Sequence, residues 1–239
     1  MGSIRWNRLT WGSIDNWPDG GDRWDFHATF CGQEYEAWKD SVVKEFLTPY
    51  LGPEVDAVEI GPGQGRWSEY MVANTRTVAL VDLSANCIDV CRRRFVDAHP
   101  SAVSFFVNDG VSLPVDDASI DLVWSFGTFV HIELPEIDRY LAEIHRALRP
   151  GGRFVIHHAG RSTGRPVTVG QVDGGCRGRP IRGTGSSPDA GLRSEVSASD
   201  FSKSTVDNDL VLEQQIRRWG SQCEFGLAFG DVISTGTRG

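Results

Sequence analysis

The chain has 239 residues, of which 40% are hydrophobic and 10% aromatic, enough to bury one sizeable core. It carries 24 Lys and Arg against 32 Asp and Glu, and this acidic balance argues against a nucleic-acid partner, because phosphates attract basic surfaces. No apolar run approaches the roughly 20 residues that a membrane helix needs, and the first residues lack a signal-peptide core. We therefore expect a cytoplasmic protein with neither a membrane nor a nucleic-acid partner.

The first 50 residues are predicted to form an arm that precedes the core. A helix is expected from about Glu34 to Leu51, where it leads into the first strand. The arm is rich in aromatic residues, at Trp6, Trp11, Trp17, Trp24, Phe26, Phe30, Tyr35 and Trp38. Aromatic faces suit the covering of a flat or cationic ligand, although the same residues would also serve simply to pack the arm onto the core.

Residues 51–160 alternate short β-branched runs with stretches of helical periodicity, which is typical of a parallel sheet flanked by helices. The predicted strands are Ala57–Ile60, Thr77–Asp82, Val103–Asn108, Ile120–Ser125 and Gly152–His157. The predicted helices are Arg66–Ala73, Ala85–Ala98 and Pro135–Leu148. The third helix is expected to end at Arg149-Pro150-Gly151-Gly152, because proline and paired glycines favour a turn.

Two further segments follow this core. Residues 161–195 are rich in glycine and poor in large apolar side chains, which favours either a flexible lid near the acceptor or a stretch of shifted reading frame. Residues 196–239 resume regular patterning, with helix signals from Ser199 and strands predicted at Leu210–Trp219 and Asp231–Thr237. We expect these two strands to close the sheet as an antiparallel edge pair within one domain that spans residues 1–239.

The strongest chemical signal is a glycine-rich turn between the first strand and the first core helix. The sequence Glu59-Ile60-Gly61-Pro62-Gly63-Gln64-Gly65 has the spacing GxGxG, whereas dinucleotide sites have GxGxxG. Glycines allow the backbone to approach a ligand closely. A carboxylate at Glu59 is unfavourable beside a phosphate and favourable beside an ammonium group.

Acidic residues also follow the second and third predicted strands. Asp82 ends the second strand, where a carboxylate can accept hydrogen bonds from ribose hydroxyls. Asn108-Asp109-Gly110 follows the third strand, where a short acid can accept a bond from an adenine amino group. These positions are at the carboxyl ends of neighbouring strands, where open α/β sheets bind their ligands.

In these motifs the chain resembles the class I S-adenosylmethionine-dependent methyltransferases, over about Val55 to His158. The segment from Leu141 to Ile156 is also similar to that family's sequence around its fifth strand. The resemblance implies an α/β, Rossmann-like fold with a seven-stranded, mostly parallel sheet, helices on both faces and an antiparallel C-terminal edge strand. It also implies S-adenosyl-L-methionine as cofactor and S-adenosyl-L-homocysteine as product.

The resemblance assigns roles to individual positions of this sequence. Three glycines would line the methionine part of the cofactor, with Glu59 near its amino group. Asp82 would hold the ribose, and Ser125, at the end of the fourth strand, would lie beside cofactor and substrate. The complete set of expected cofactor-binding residues is Trp11, Glu59, Gly61, Gly63, Gly65, Asp82, Leu83, Asp109, Gly110 and Ser125.

A hydroxyl nucleophile must lose its proton during or before methyl transfer, so a general base is expected. His131 is the first candidate because it follows the fourth strand at its carboxyl end, although it would also suit packing against the cofactor or capping of the next helix. One residue of the pair His157 and His158 must face the site, and His158 is the second candidate; His27 and Glu133 are weaker ones. The histidines lack metal-ligand spacing, so no metal site is predicted, although a magnesium site formed only in the fold stays open.

The function expected from these observations is methylation of a small molecule, with a sugar or natural-product hydroxyl as the first choice of acceptor. Two alternatives stay open: transfer to carbon or nitrogen of an aromatic or amine acceptor, and a catalytically inactive cofactor-binding module. A nicotinamide oxidoreductase is disfavoured by the GxGxG spacing and by Glu59. The protein is expected to act as a monomer or a homodimer.

Overall fold

The computed structural model describes residues 3–13, 26–95, 97, 102–160, 193–220 and 230–239. The expectations for Trp17, Trp24 and residues 161–192 lie outside these ranges.

The described residues before the sheet include three α-helices. Helix α1 spans Ile4–Gly12 and begins at Ser3, whose side chain accepts a hydrogen bond from the Trp6 amide. Helix α2 spans Phe26–Phe30, and α3 spans Tyr35–Val42. The predicted helix from Glu34 to Leu51 is present but changes its hydrogen-bond pattern, with a π-helical turn at Val43–Leu47 and a 3-10 turn at Thr48–Tyr50. Proline at the start of the last turn has no amide hydrogen to continue an α-helix.

The sheet has seven strands, as predicted. They are β1 (Gly52–Ile60), β2 (Thr75–Asp82), β3 (Val103–Val107), β4 (Ile120–Phe129), β5 (Leu148–Ala159), β6 (Leu210–Ile216) and β7 (Asp231–Arg238). Their order is β3-β2-β1-β4-β5-β7-β6, and β7 runs opposite to the other six. The remaining helices are α4 (Ser68–Asn74), α5 (Ala85–Phe95), α6 (Leu134–Ala147) and α7 (Ala198–Asp207).

The two C-terminal strands form the expected pair at one end of the sheet. The antiparallel strand β7 lies between β5 and β6, so that β6 forms the edge. Gly236 faces Phe154 of β5 in this register, and a Cβ on Gly236 would lie 2.5 Å from the Phe154 ring. Glycine is therefore needed at position 236, because the Phe154 ring lies over this part of β7.

Strand β5 begins earlier than the sequence predicts. The expected turn at Arg149–Gly152 is part of the strand, because Leu148 already pairs with Ile120 of β4. Helix α6 thus passes into β5 without an intervening loop.

Helices cover both faces of the sheet. Buried side chains of α3, α4 and α5, including Trp38, Met71 and Cys91, pack on one face. Those of α6 and α7, including Leu141 and Phe201, pack on the other. The described helices include none that is both long enough and apolar enough to cross a membrane. The loops that follow β1 to β4 therefore come together at the carboxyl ends of these strands.

Candidate active site

The glycine-rich turn connects β1 to α4 and has an unusual backbone. Gly61, Gly63 and Gly65 have φ angles of 72°, 57° and 95°, in the region that side chains disfavour. A Cβ on Gly61 would lie 2.1 Å from the Thr128 hydroxyl oxygen, and one on Gly65 would lie 2.6 Å from the Phe95 ring. The turn therefore requires glycine at these positions, which leaves backbone atoms lining the end of the sheet.

Glu59 lies directly before this turn and is buried, at 1% exposure. The Ser68 hydroxyl donates a hydrogen bond to its Oε2 atom. Its Oε1 atom has no hydrogen-bond partner within the described ranges. Burial raises the pKa of Glu59 to about 8. A buried carboxyl group with one unused oxygen fits a ligand that brings a cation, such as the ammonium group of an amino acid.

Asp82 ends β2 beside the glycine-rich turn. Its two oxygens accept hydrogen bonds from the Gly63 amide, at 3.2 Å, and the Ser84 amide, at 2.8 Å. Burial raises the pKa of Asp82 to about 6. Each oxygen retains a further lone pair, so this geometry is compatible with a pair of ribose hydroxyls.

The loop after β3 differs from the simple expectation for Asp109. Asp109 is exposed, and its Oδ1 atom accepts bonds from the amides of Val111 and Ser112, at 3.0 and 2.8 Å. These bonds lower the pKa of Asp109. Asn108, which sequence reasoning left without a role, donates through Nδ2 to the Tyr140 hydroxyl at 2.9 Å. Asp109 thus shapes the loop in this structure, and its contact with an adenine edge stays a prediction.

Helix α1 lies across the carboxyl ends of the strands. At one end, Ile4 lies 3.0 Å from where a Cβ on Gly110 would be, and Leu83 lies 3.3 Å from the same point. At the other end, Trp11 lies against the His131 ring with a centroid distance of 4.9 Å. Of the expected cofactor-binding residues, Leu83 and Gly110 therefore lie beside the start of α1, and Trp11 belongs to α1 itself. Ile4 could not be predicted as part of this site, because a single aliphatic residue at the start of a tryptophan-rich arm carries no motif.

His131 lies in the turn that follows β4 and is buried. Its amide donates to the Thr128 carbonyl at 3.0 Å, and its own carbonyl accepts from the Asn7 side chain of α1 at 2.9 Å. The Thr128 hydroxyl in turn donates to the Gly61 carbonyl at 3.2 Å. The candidate base is thus joined through one residue to the glycine-rich turn.

Ser125 lies on β4, six residues before His131, and its side chain bonds to the neighbouring strand. Its hydroxyl donates to the Ile60 carbonyl at 2.8 Å, across the β1 and β4 pair. This bond ties the ends of two strands together. A contact between Ser125 and the cofactor stays a prediction.

His158 has the environment of a packing residue. It is fully buried and stacks on Phe201 of α7, with ring centroids 3.7 Å apart. Nδ1 lies 2.5 Å from the Ala159 carbonyl oxygen, and Nε2 lies 2.7 Å from the Ser234 hydroxyl. Burial lowers the pKa of His158 to about 3. Because both ring nitrogens are engaged and the charged form is disfavoured, this geometry does not support His158 as a base.

The neighbouring residue His157 points to the opposite face and joins a cluster that the sequence did not predict. Side-chain atoms of His27, His157 and Asp231 lie within 4.8 Å of one another, and all three residues are buried. They come from α2, β5 and β7.

Comparison with known proteins adds to this geometry. Residues 58–156 match a family model described as a methyltransferase domain. The match covers fewer than half of the 239 residues, and it agrees with the resemblance to class I S-adenosylmethionine-dependent methyltransferases that the sequence motifs show. The matched residues begin just before the glycine-rich turn and end within β5, so they include the carboxyl ends of β1 to β4.

Curated relatives match about half of the chain. Methyltransferase GfsG of Streptomyces halstedii is 32% identical over 122 residues, which are 50% of this chain and 43% of that protein. A ubiquinone/menaquinone biosynthesis C-methyltransferase of Rubrivivax gelatinosus is 37% identical over 122 residues, 51% of this chain and 45% of that protein. The chain therefore spans less than half the length of these relatives.

Solved structures share the fold of the methyltransferase domain over nearly the whole chain. Geranyl diphosphate C-methyltransferase of Streptomyces coelicolor has a TM-score of 0.62 at 18% identity, over 99% of this chain and 97% of that chain. The [4+2]-cyclase SpnF has a TM-score of 0.61 at 18% identity, over 91% of this chain and 87% of that chain. At this identity the likeness establishes the fold and leaves the reaction open.

Proposed function

We propose that the protein transfers a methyl group from S-adenosylmethionine to a hydroxyl group of a small molecule, such as a sugar or a natural product. The observation that carries the proposal is the buried Oε1 of Glu59, which no described residue meets with a hydrogen bond, beside the glycine-rich turn and Asp82. An amino-acid ammonium group and a ribose fit these two carboxyl groups, which stand at the ends of adjacent parallel strands. The methyltransferase relatives support the same cofactor.

The residues present would hold the cofactor along the strand ends. Glu59 would receive the ammonium group, Asp82 the ribose hydroxyls, and Leu83 and Gly110 the adenine. When bound, the cofactor supplies an electrophilic methyl group on a sulfonium centre. The protein contributes alignment and exclusion of water, effects that lower reaction barriers by roughly 7 to 11 kcal/mol.

His131 is the proposed base for the acceptor hydroxyl. It follows β4, it is buried, and it has Trp11 of α1 against its ring. Trp11 would help to cover the reaction site, since an aromatic face is suited to a sulfonium or a flat acceptor. Small-molecule acceptors accord with geranyl diphosphate in one structural neighbour and phosphoethanolamine in another. We further propose a cytoplasmic monomer or homodimer that needs no nucleic acid.

Transfer to carbon is the second candidate. It is favoured by the 37% identity to a C-methyltransferase and by the fold likeness to geranyl diphosphate C-methyltransferase. Transfer to nitrogen differs from O-methylation in its need for a base. A hydroxyl acceptor must lose its proton near the moment of attack, so O-methylation depends on a base at His131, whereas a neutral amine can attack before it loses a proton.

Binding calorimetry tests the cofactor assignment. We expect micromolar binding of S-adenosylmethionine and S-adenosylhomocysteine to the wild type, and its loss in Asp82→Ala. A panel of acceptors incubated with methyl-labelled cofactor then separates an enzyme, which releases S-adenosylhomocysteine, from an inactive binding module, which does not. Binding of NAD without binding of S-adenosylmethionine would overturn the proposal.

A further inference from the structure

The buried cluster of His27, His157 and Asp231 lies outside the proposed cofactor contacts. Two imidazoles and a carboxylate at close range have the composition of a transition-metal site. His27 lies on α2 and stacks on Trp38, at a centroid distance of 5.1 Å. Asp231 is the first residue of β7 and pairs with Ala159 of β5. The hydrogen bonds of His157 decide between a metal site and a proton-holding network.

The Gly127 amide donates a hydrogen bond to Nδ1 of His157, at 3.1 Å. Nδ1 therefore carries no proton, and the proton of the neutral ring is on Nε2, which lies 3.2 Å from Asp231 Oδ2. In metal sites the ring nitrogen that does not bind the metal usually donates a hydrogen bond. Here it accepts one, so a metal on Nε2 would require an imidazolate.

Asp231 already has a cationic partner. The Arg193 guanidinium forms an ion pair with its Oδ1 atom, while Oδ2 faces His157. Both the carboxylate and the ring are thus engaged in one continuous chain of hydrogen bonds, from Arg193 through Asp231 and His157 to the Gly127 amide. Such a chain fixes the tautomer and orientation of the histidine.

Gly127 lies near the end of β4, just before the turn that carries the proposed base. Its φ angle is 85°, and within the described ranges no atom outside its two chain neighbours lies within 4 Å of where its Cβ would be. The next residue, Thr128, bonds to Gly61 through its side chain and to His131 through its carbonyl. An anchor on the Gly127 amide therefore restrains both the glycine-rich turn and His131.

We propose that Arg193, Asp231 and His157 are positioning residues that hold the Gly127 amide and thereby set the position of His131, an inference that rests on the proposed role of His131 as base. The titratable and charged groups that act on His157 include His27, His131, Asp231 and Arg193. Burial lowers the pKa of His157, so its ring stays neutral and able to accept the Gly127 bond. A second proton on the ring would lie on Nδ1, so that two donors, the Nδ1–H group and the Gly127 amide, would face each other.

Nitrogen-15 NMR of the full-length chain, labelled in histidine and backbone amides, tests the chain of bonds without a known acceptor. We expect His157 to show the Nε2–H tautomer in the wild type. In Asp231→Asn the amide oxygen should turn to Arg193 and the NH₂ group to His157, which forces the opposite tautomer. The Gly127 amide should then exchange with solvent about tenfold faster, as expected for one lost hydrogen bond, and the His131 ring signals should move with it.

Asp207→Asn is the matched control, because Asp207 is exposed on α7 and should leave all three signals unchanged. Arg193→Gln is the second variant in case Asp231→Asn does not fold; it should shift the same signals less. The inference is overturned by an Nδ1–H tautomer in the wild type, by unchanged Gly127 and His131 signals in a folded variant, or by one equivalent of Zn²⁺ bound through His157. Absence of cofactor binding would instead count against the proposed function, since the NMR signals do not require cofactor.

Discussion

Cofactor binding should release a proton from Glu59. Burial raises the pKa of this carboxyl group to about 8 in the free protein. At pH 7 the group is therefore protonated in about 0.9 of the molecules. A cofactor ammonium group placed against Oε1 favours the ionised form, so binding should expel about 0.9 proton per cofactor at pH 7.

Two smaller proton exchanges on cofactor binding nearly cancel each other. Asp82, with a pKa of about 6, is protonated in about 0.1 of the molecules at pH 7 and should release that fraction when it receives the ribose. The cofactor amine, with an ordinary α-amino pKa near 8, should take up about 0.1 proton to bind as ammonium. The net release therefore reports on Glu59.

The assay is calorimetry with S-adenosylhomocysteine at pH 7 in buffers of different ionisation enthalpy, since the slope of heat against that enthalpy counts the protons. Glu59→Gln cannot ionise, so its proton exchange should fall near zero and its affinity should drop about 10- to 100-fold, as for one lost charge-assisted hydrogen bond. Glu213→Gln, on strand β6, is the control. Tight binding to the wild type without proton release would refute the assignment of Glu59.

The same linkage fixes the sign of the pH dependence. Because the free carboxyl group must lose its proton to bind, affinity should rise with pH below about 8. Between pH 6 and pH 7 the ionisation of Glu59 alone predicts about ninefold tighter binding. Glu59→Gln should lack this rise.

Three further perturbations have defined outcomes. Asp82→Ala should raise the cofactor Kd at least about a hundredfold, measured by calorimetry, because two ribose bonds to a charged acceptor are lost. Gly61→Ala should lower the free energy of unfolding in urea by roughly 1 to 3 kcal/mol, because φ is 72° and the new Cβ would meet Thr128. The pKa of His158 is about 3 when folded and about 6.5 when unfolded, so falling pH favours unfolding. Between pH 8 and pH 5 the wild type should lose about 2 kcal/mol that His158→Phe does not lose, and equal losses would contradict the assignment.

The sequence predicted the fold closely where local signals agree with tertiary pairing. The strand of Val103, the helix beginning at Ala85 and the two C-terminal strands lie within a few residues of their predicted positions. The exception at Arg149–Gly152 shows the reason for the error. Proline and glycines favour a turn locally, but the pairing of Leu148 with Ile120 in the sheet outweighs that preference.

In the candidate site, too, residues within local motifs could be predicted and residues brought together by tertiary pairing could not. Glu59, the three glycines and Asp82 could be singled out as candidates from the sequence, because each lies in or beside a short motif at a strand end. The cluster around His157 was missed because its members come from α2, β5 and β7, and only the antiparallel register that places Asp231 opposite Ala159 brings them together. Choosing between His157 and His158 likewise needs the position of α7, since Phe201 covers one of the two faces.

The surroundings of the histidines also narrow the choice of base. A base needs a ring nitrogen that can accept a proton and an environment that tolerates the charge. His157 and His158 use both nitrogens within the protein, and burial lowers the pKa of His27 well below its ordinary value. His131 differs because it stands in the turn that leads from β4 across the strand ends and meets α1 through Trp11. His131 is thus contacted from two sides: its amide bonds to Thr128, the neighbour of Gly127, and its carbonyl and ring contact Asn7 and Trp11 of α1. If His131 is the base, both the anchor proposed at the Gly127 amide and the contact with α1 should affect its position.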